Sequence, residues 1–322
     1  MGLEIQPSPM TENLMDNQTA LLVINPVSGV SQPDIIRSRF ERLFHNAGWN
    51  TQVYQTTGSE ILADVVREHL SGGVNMVVAA GGDGTISEVG SSLTYTGIPL
   101  GILPTGTWNA LSHNLGIPIF FEDAMHLLLK PHRLMKMDSL EVNGRHYLLN
   151  VGIGLSSAVI QSTRRHQKRR FGFLAYVWNF LAQASGLRKR TYRLGIDGRE
   201  IKVRATELMV VNSSIIGFGE LPTVLDIQPD DGRVEIIALR APTIFGLGVI
   251  AVNILVGRRR KTPGFVSFTS NQKITIRSSR QVVVQADGEI IGHTPVEIIL
   301  HHSAVDVIVP QISKKGLFSV DP

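Results

Sequence analysis

Apolar residues in the first third of the chain occur in short continuous runs, separated by segments in which they recur at helical spacing. Continuous runs of this length predict buried strands, and the helical spacing predicts amphipathic helices. The predicted elements are strands at Ala20–Asn25, Thr51–Tyr54, Val74–Ala80 and Pro99–Leu103 and helices at Gln32–Ala47, Ser59–Leu70, Thr85–Leu93 and Phe121–Leu129. Strands that alternate with helices in this way predict a parallel sheet covered on both faces.

The pattern changes after about Lys130, where β-rich runs are separated by Asn-Gly and Asp-Gly pairs typical of antiparallel hairpins. These pairs are Asn143-Gly144, Asp197-Gly198, Asp231-Gly232 and Asp287-Gly288, and two further helices are predicted at Phe171–Ala184 and Thr243–Val256. The predicted fold class is therefore α/β + β, a Rossmann-like parallel α/β domain followed by a β-sandwich-like domain. We expect a tail at residues 1–18, the α/β domain at 19–130 and the β-rich domain at 131–322, whose C-terminal segment is a candidate to return to the first domain.

The composition is that of a globular protein. Hydrophobic residues make up 43% of the 322 residues and charged residues 18%, which excludes a disordered or fibrous chain. A net charge of +4 suits an anionic partner such as a nucleotide, a phospholipid surface or nucleic acid. The absence of cysteine excludes disulfides and thiolate metal sites. No signal-like segment begins the chain and the most apolar stretch, Ile244–Val256, is too short to span a bilayer, so we expect a cytoplasmic protein.

One strand-to-helix junction carries a glycine-rich turn, in the stretch VNMVVAAGGDGTISE that ends at Glu88. Glycines here predict positive φ angles and close approach of a ligand to the backbone. A helix beginning at Thr85 would offer free N–H groups to an anion, and Thr85 and Glu88 have the spacing of a capping box. The alternative is an ordinary tight turn in which Asp83 acts as a cap.

Two further loops follow strands in the same way: GILPTGTWNAL at Gly101–Leu111 and NPVSG at Asn25–Gly29. The carboxyl ends of parallel strands meet at one edge of the sheet, where α/β folds bind their ligands. The three loops therefore predict a phosphate or nucleotide site at this edge.

The segments VINPVSG, AAGGDGTISEV, LGILPTGTWNAL, MDSLEVNGRHYLLNVGIG, PDDGRVEIIAL and VQADGEIIG occur in an order that resembles the diacylglycerol kinase catalytic-domain superfamily. This superfamily includes bacterial soluble lipid kinases and the sphingosine and ceramide kinases, and the resemblance extends from about Ala20 to the end of the chain. It implies an active site in the cleft between the two domains. It also implies transfer of the γ-phosphoryl group of ATP, with Mg²⁺, to a lipid hydroxyl of a diacylglycerol-like or sphingoid acceptor.

The resemblance and the loops together assign residues to the expected site. Those expected to bind ATP are Asn25, Thr56, Gly81, Gly82, Asp83, Gly84, Thr85, Ile86, Ser87, Glu88 and Thr107. Asp83 would also orient a Mg²⁺–phosphate unit or a substrate hydroxyl. By resemblance, Asp287 would accept the proton of the lipid hydroxyl, assisted by Glu289, and Asp287→Asn would abolish turnover at nearly unchanged melting temperature. By periodicity alone, Asp287-Gly288 is only a hairpin turn.

The resemblance also implies a structural Mg²⁺ held by Asp231 and the carbonyls of Gln228 and Arg233, the alternative being a hairpin turn without metal. Two positions depart from the family pattern. Ala110 ends a Trp-Asn-Ala run where bacterial members usually have Ala-Asn-Asp, and Ser156 stands where an acidic residue is common. Both departures leave the identity of the lipid acceptor open. Asp138 retains the family's carboxylate and is expected either to stabilise the cleft or to end a strand.

Basic clusters adjoin the apolar helix candidates, at Arg164–Arg170, Arg188–Arg190 and Arg258–Lys261. This arrangement predicts peripheral binding to an anionic membrane surface, while patterns that would predict nucleic-acid binding are missing. The ten histidines lack metal-ligand spacing, and His301-His302 receives no role. Two rival functions remain: a kinase of a soluble acceptor, as in NAD kinases that share the GGDGT loop, and a non-catalytic nucleotide- or lipid-binding regulatory protein.

Overall fold

The computed structural model describes residues 18–28, 32–162, 188–216, 219–220, 227–241, 243–255 and 262–311. The helices are α1 Pro33–Asn46, α2 Leu62–Ser71, α3 Asp83–Ser92, α4 Ala110–Leu115, α5 Phe121–Leu129, α6 Leu155–Ser162 and α7 Ile244–Leu255. The strands are β1 Thr19–Ile24, β2 Asn50–Gln55, β3 Met76–Gly81, β4 Leu100–Pro104, β5 Arg133–Val142, β6 Arg145–Tyr147, β7 Asn150–Gly154, β8 Arg190–Ile196, β9 Arg199–Ala205, β10 Glu207–Val211, β11 Ile215–Ile216, β12 Gly219–Glu220, β13 Val234–Leu239, β14 Phe265–Ser270, β15 Lys273–Ser278, β16 Val283–Ala286, β17 Glu289–His293 and β18 Val296–Val309. The predicted helix at Phe171–Ala184 and the basic clusters at 164–170 and 258–261 lie outside the described residues.

The first four strands form a parallel sheet in the order β2, β1, β3, β4. Helices cover both faces, because alternate residues of β1 enter two different cores. Leu21 and Val23 pack in the core that contains α2, α3 and α4, and Leu22 and Ile24 pack in the core that contains α1 and α5. The predicted Rossmann-like domain is confirmed, and the continuous apolar runs reflect burial on both sides.

The four parallel strands are part of a large, ten-stranded sheet, and a second sheet contains six antiparallel strands in the order β14, β13, β10, β7, β16, β17. It packs against the far part of the large sheet, where β15, β8 and β9 lie. One core joins the two sheets, with Tyr192 and Ile276 from the large sheet and Val151 and Ile236 from the six-stranded sheet. The predicted β-sandwich-like architecture is therefore confirmed.

The long strand β18 connects the two halves of the large, ten-stranded sheet. It pairs antiparallel with β15 at its start and with β5 over most of its length, and it lies parallel to β4 at Val307. The chain thus returns at its C-terminal end to the edge of the four parallel strands.

Three of the four predicted Asx-Gly turns are confirmed. Asn143, Asp197 and Asp287 have φ angles of 54°, 47° and 45°, and each closes a hairpin between paired strands. Asp231-Gly232 was wrongly predicted to be a hairpin turn. It precedes β13, whose partners are β10 and β14, and the loop is held by a hydrogen bond from the Gly232 N–H to Asp138 Oδ2 at 2.7 Å.

Candidate active site

The junction between β3 and α3, here called the glycine corner (Gly81–Thr85), offers free N–H groups but begins earlier than predicted. Helix α3 starts at Asp83 instead of Thr85, with Gly82 as its N-cap residue and no side-chain cap. The first N–H groups of a helix have no intrahelical acceptor, so those of Asp83, Gly84 and Thr85 are available to a ligand. The predicted capping box is wrong, because Glu88 Oε1 accepts a hydrogen bond from the Leu62 N–H instead, at 3.2 Å.

None of the corner glycines has a positive φ, so that part of the prediction is wrong; close packing requires glycine at Gly81 and, in the second loop, at Gly106. Gly82 has φ −89° and ψ 179°, which any residue adopts. A Cβ on Gly81 would lie 2.6 Å from Thr85 Cβ, and one on Gly106 would lie 2.5 Å from Gly82 Cα. Gly84 differs, because a Cβ there would meet no atom within 4 Å. The space over Gly84 is therefore open to a ligand.

Hydrogen bonds join the three glycine-containing loops into one surface at the carboxyl edge of the sheet. Asn25 Nδ2 donates to Thr85 Oγ1 at 2.8 Å, and the hydroxyls of Ser28 and Thr105 lie 2.8 Å apart. The Thr105 N–H donates to the Gly81 carbonyl at 3.0 Å. The surface is therefore preorganised by side chains from three separate segments.

Three further residues assigned to the nucleotide differ in what they can contact. Thr107 is exposed on the rim of the second loop, and Thr56 is buried, with its N–H donating to the Ile24 carbonyl at 2.8 Å. The prediction that Ile86 contacts the ligand does not fit the structure. Its side chain is fully buried beneath α3, and its N–H donates to the Gly82 carbonyl at 3.0 Å.

Asp83 links the glycine corner to the second loop. Its Oδ1 accepts a hydrogen bond from the Leu111 N–H at 3.0 Å, in the first turn of α4. Asn109, at φ 48°, closes the loop before α4 by hydrogen bonds with the N–H and carbonyl of Gly106, at 2.9 and 3.0 Å. Asp83 Oδ2 has no hydrogen-bond partner among the described residues, so one carboxylate oxygen is left for a cation or a substrate hydroxyl.

Asp287 faces the glycine-corner helix directly, although it lies 200 residues further along the chain. Its carboxylate accepts hydrogen bonds from the N–H groups of Leu148, Leu149 and Asn150 at 2.8, 3.0 and 2.8 Å. The hydroxyl of Ser87 on α3 donates to the same carboxylate. Burial raises the pKa of Asp287, and these hydrogen bonds oppose the rise. A partly buried carboxylate with raised proton affinity therefore lies between the two domains.

Other titratable groups surround Asp287. Burial raises the pKa of Tyr147, and Glu289 and Asp287 contribute to the rise. Partial removal from water raises the pKa of Glu88, and the charges of Glu289 and Glu60 add to it. The surroundings of Asp287 therefore hold an excess of negative charge, and the positive charge of Arg145 opposes it at both Tyr147 and Glu88.

The loop before β13 carries the predicted structural Mg²⁺ residues Gln228, Asp231 and Arg233, and it is organised by Asp138. Asp138 is fully buried, and it accepts hydrogen bonds from the Gly232 N–H at 2.7 Å, the Ser303 N–H at 2.8 Å and His302 Nδ1 at 2.7 Å. Asp138 lies inside β5, so the expectation that it ends a strand is wrong. Its contacts stabilise the loop before β13, and a role in the cleft stays a prediction. His302, to which the sequence assigned no role, is part of this network.

The donor set of this loop fits a hard cation. Burial raises the pKa of Asp231, and the nearby carboxylates of Asp138 and Asp230 add to the rise. Backbone carbonyls and a carboxylate crowded by like charges are ligands that Mg²⁺ prefers. The assignment of Asp231, with the carbonyls of Gln228 and Arg233, stays a prediction.

The Ser156 departure has a structural partner. The hydroxyl and N–H of Ser156 both donate to the carboxylate of Glu207, the N–H at 3.0 Å. Glu207 is buried, and this burial raises its pKa to about 8. An acidic residue at position 156 would place a second carboxylate against Glu207, which explains why serine suits this chain.

Glu207 is expected to make the protein less stable as the pH rises. Its pKa lies near 8 in the folded protein against an ordinary 4.5, so the folded state binds more protons between these values. Stability from this group is therefore complete below about pH 4.5 and is lost as pH rises through 8, with a slope of up to about 1.4 kcal/mol per pH unit. Urea denaturation from pH 5 to 8 should show a shallower decline for Glu207→Gln; equal slopes would contradict this assignment.

Two family models match successive parts of the chain. The model of the diacylglycerol kinase catalytic domain matches residues 19–142, and that of the YegS C-terminal NAD kinase beta sandwich-like domain matches residues 150–309. The diacylglycerol kinase of Bacillus subtilis (strain 168) is 25% identical over 305 residues, which cover 91% of this chain and 96% of that protein.

Solved structures share the fold. The crystal structure of "a putative diacylglycerol kinase from Bacillus anthracis str. Sterne" superposes with a TM-score of 0.75 at 23% identity, covering 92% of this chain and 96% of that one. At this identity the superposition speaks for the fold alone. The two matched domains, with the GGDGT and DGE motifs, show that the chain belongs to the diacylglycerol kinase catalytic-domain superfamily.

Proposed function

We propose that this protein is an ATP- and Mg²⁺-dependent lipid kinase that phosphorylates a hydroxyl of a diacylglycerol-like or sphingoid lipid. The observation that carries the proposal is the contact between Ser87 on the glycine-corner helix and Asp287 of the DGE turn. Through this contact, the open N-terminus of the helix and a carboxylate of raised pKa lie close to one another, which supports a shared site. Phosphoryl transfer requires such positioning and charge stabilisation more than covalent chemistry from the protein.

The glycine corner would hold the triphosphate. The N–H groups of Asp83, Gly84 and Thr85 would donate to phosphate oxygens, and the open space over Gly84 would admit them. The free Oδ2 of Asp83 would take Mg²⁺, which supplies neutralisation of the phosphate charge when bound. Thr107 on the exposed rim would contact the nucleotide from the second loop.

Asp287 would act as general base for the lipid hydroxyl. Three of its four donors are backbone N–H groups, which fix the orientation of the carboxylate. The fourth, the Ser87 hydroxyl, can rotate away, so an acceptor hydroxyl can take its place and transfer its proton to Oδ2. Glu289, exposed at the turn, would assist from the rim of the cleft.

Labelled ATP, Mg²⁺ and a panel of lipids plus NAD⁺, followed by chromatography of the products, tests this function. The proposal predicts label in a lipid product that depends on Mg²⁺. Label in NADP⁺ without lipid would indicate a kinase of a soluble acceptor. ATP binding without any transfer would indicate a regulatory protein. The observation in favour of this rival is that the carboxylate of Asp287 already accepts four hydrogen bonds within the protein.

We also propose that the lipid is reached at an anionic membrane surface. Among the residues that the structure describes, no helix combines the length and apolar character needed to cross a bilayer. Helix α7 instead buries Ile250 and exposes Phe245, Val249 and Val252 by 83%, 56% and 60%. These three positions lie on one helical face, as in helices that rest in the interface of a bilayer.

A basic groove lies beside this helix. It is lined by Lys189, Thr191, Lys202, Arg204 and Arg240. A Cβ on Gly264 would lie within 4 Å of both Arg240 and the buried Ile250 of α7, so Arg240 of the groove lies close to this helix. An apolar face next to basic side chains is complementary to a membrane with anionic headgroups.

Removing two charges from this groove is expected to weaken vesicle binding. Each basic side chain contributes about 1 kcal/mol near an anionic surface, so Lys202→Gln with Arg204→Gln should weaken binding by about 30-fold. Sedimentation with phosphatidylglycerol and phosphatidylcholine vesicles measures this. Phe120→Ser, which alters a side chain 73% exposed on the other domain, is the control and should bind normally. Equal binding of the unaltered protein to both vesicles would contradict the electrostatic part.

A further inference from the structure

A cluster of metal-ligand side chains lies on three adjacent strands, where sequence spacing indicated none. Glu141, His146 and His301 each offer one ligand atom, and these atoms all lie within 4.8 Å of one another. The residues belong to β5, β6 and β18, which are adjacent in the large sheet. Sequence spacing does not reveal this cluster, because strand pairing brings His301 close to residues that are far away in the chain.

The cluster is held in place by neighbouring hydroxyl groups. His301 Nε2 lies 2.6 Å from Glu141 Oε2, and its other ring nitrogen, Nδ1, lies 3.1 Å from the Tyr95 hydroxyl. The Ser139 hydroxyl lies 3.0 Å from His146 Nδ1, which leaves Nε2 as the ring nitrogen for a ligand. Metal-binding histidines commonly have the second ring nitrogen oriented in this way.

We propose that Glu141, His146 and His301 bind a Zn²⁺ ion. Two imidazoles and one carboxylate form a known type of Zn²⁺ site, in which a water molecule takes the fourth position. All three residues are partly buried, so solvent can reach that position. The 2.6 Å contact between His301 and Glu141 would open slightly, since two ligands of one tetrahedral Zn²⁺ lie roughly 3.3 Å apart.

The chemistry of the cluster separates this ion from the Mg²⁺ expected at the cleft. Imidazole suits Zn²⁺, whereas Mg²⁺ prefers oxygen ligands. The proposal does not depend on the kinase function, because neither the glycine corner nor Asp287 contributes a ligand. Bound Zn²⁺ would connect β18 to the β5–β6 hairpin. His146 lies between Arg145 and Tyr147 in β6, so the ion would also fix the strand that supplies these two cleft residues.

Metal titration of the tag-free full chain tests the site directly. After chelator treatment, isothermal titration with Zn²⁺ in millimolar Mg²⁺ should show one ion per chain, and Co²⁺ should give the visible absorption of a tetrahedral complex. Zn²⁺ should also raise the melting temperature. His146→Ala and His301→Ala should each weaken binding at least about 100-fold, and Ser139→Ala about 10–100-fold. His126→Ala, an exposed histidine on α5, should bind as the unaltered protein does.

Thermal melts without metal show whether each variant is folded, and His146→Gln replaces His146→Ala if the latter is not. Failure of the unaltered protein to bind either Zn²⁺ or Co²⁺ would overturn the proposal. Unchanged stoichiometry and affinity in a folded His146→Gln, His301→Gln double variant would overturn it as well.

Discussion

Asp287→Asn is expected to lower the rate of phosphoryl transfer to lipid by about 10²–10⁴-fold, the usual contribution of a general base. The asparagine side chain cannot accept the proton of the acceptor hydroxyl. The substitution should also lower the stability by about 1–3 kcal/mol, because three backbone N–H groups lose a charged acceptor. The expectation of an unchanged melting temperature is therefore revised. Steady-state rates with lipid and thermal melts measure the two effects separately.

The chain contains a matched control for this substitution. Asp197 has the same Asp-Gly turn and likewise accepts hydrogen bonds from three backbone N–H groups, at 3.0, 3.1 and 3.2 Å, and from a serine hydroxyl, at 2.8 Å. It belongs to the β8–β9 hairpin and not to the cleft. Asp197 is exposed, whereas Asp287 is half-buried, so Asp197→Asn should reduce stability less, and it should leave the rate unchanged. If Asp287→Asn retained the rate as Asp197→Asn does, Asp287 would have only the structural role that the turn predicts.

Gly84→Ala is expected to weaken ATP binding by about tenfold or more, equivalent to about 1.4 kcal/mol, while the fold is kept or made more stable. A Cβ at this second residue of α3 meets no protein atom within 4 Å, and its φ is not positive. Alanine also favours helix over glycine by about 0.5–1 kcal/mol. Any loss of ATP affinity must then come from a clash with the ligand. Calorimetric titration with an ATP analogue and Mg²⁺, without lipid, measures it.

Gly248→Ala is the corresponding control. Gly248 is also a helical, exposed glycine whose Cβ would meet no atom within 4 Å, but it lies on α7. This variant should bind ATP normally. Unchanged ATP affinity in Gly84→Ala would show that the triphosphate does not approach the glycine corner.

The α/β part of the fold was predictable because its strands β1, β3 and β4 are buried on both faces and its helices on one. The apolar periodicity placed the start of α3 two residues too late, at Thr85, because the first two residues of the helix, Asp83 and Gly84, are not apolar. Local spacing suggested that Thr85 and Glu88 cap one another, but each finds a partner in another segment, Asn25 and Leu62 respectively. Rules based on local sequence spacing do not account for hydrogen-bond partners from distant segments of the chain.

The parts of the site that the sequence did not indicate depend on long-range pairing. The N–H groups that hold Asp287 come from Leu148, Leu149 and Asn150, and backbone groups leave no mark in a sequence. The partnership of Ser156 with Glu207 likewise requires β7 to lie beside β10. The resemblance predicted that the GGDGT and DGE motifs belong to one site. In the structure, the hydroxyl of Ser87, which follows GGDGT, donates a hydrogen bond to Asp287 of DGE.

A crystal structure with Mg²⁺ and a non-hydrolysable ATP analogue is the most direct test of the account. We expect the β- and γ-phosphates to accept hydrogen bonds from the N–H groups of Gly84 and Thr85, with the γ-phosphate facing Asp287. A nucleotide bound elsewhere, with the corner N–H groups in contact only with solvent, would contradict it.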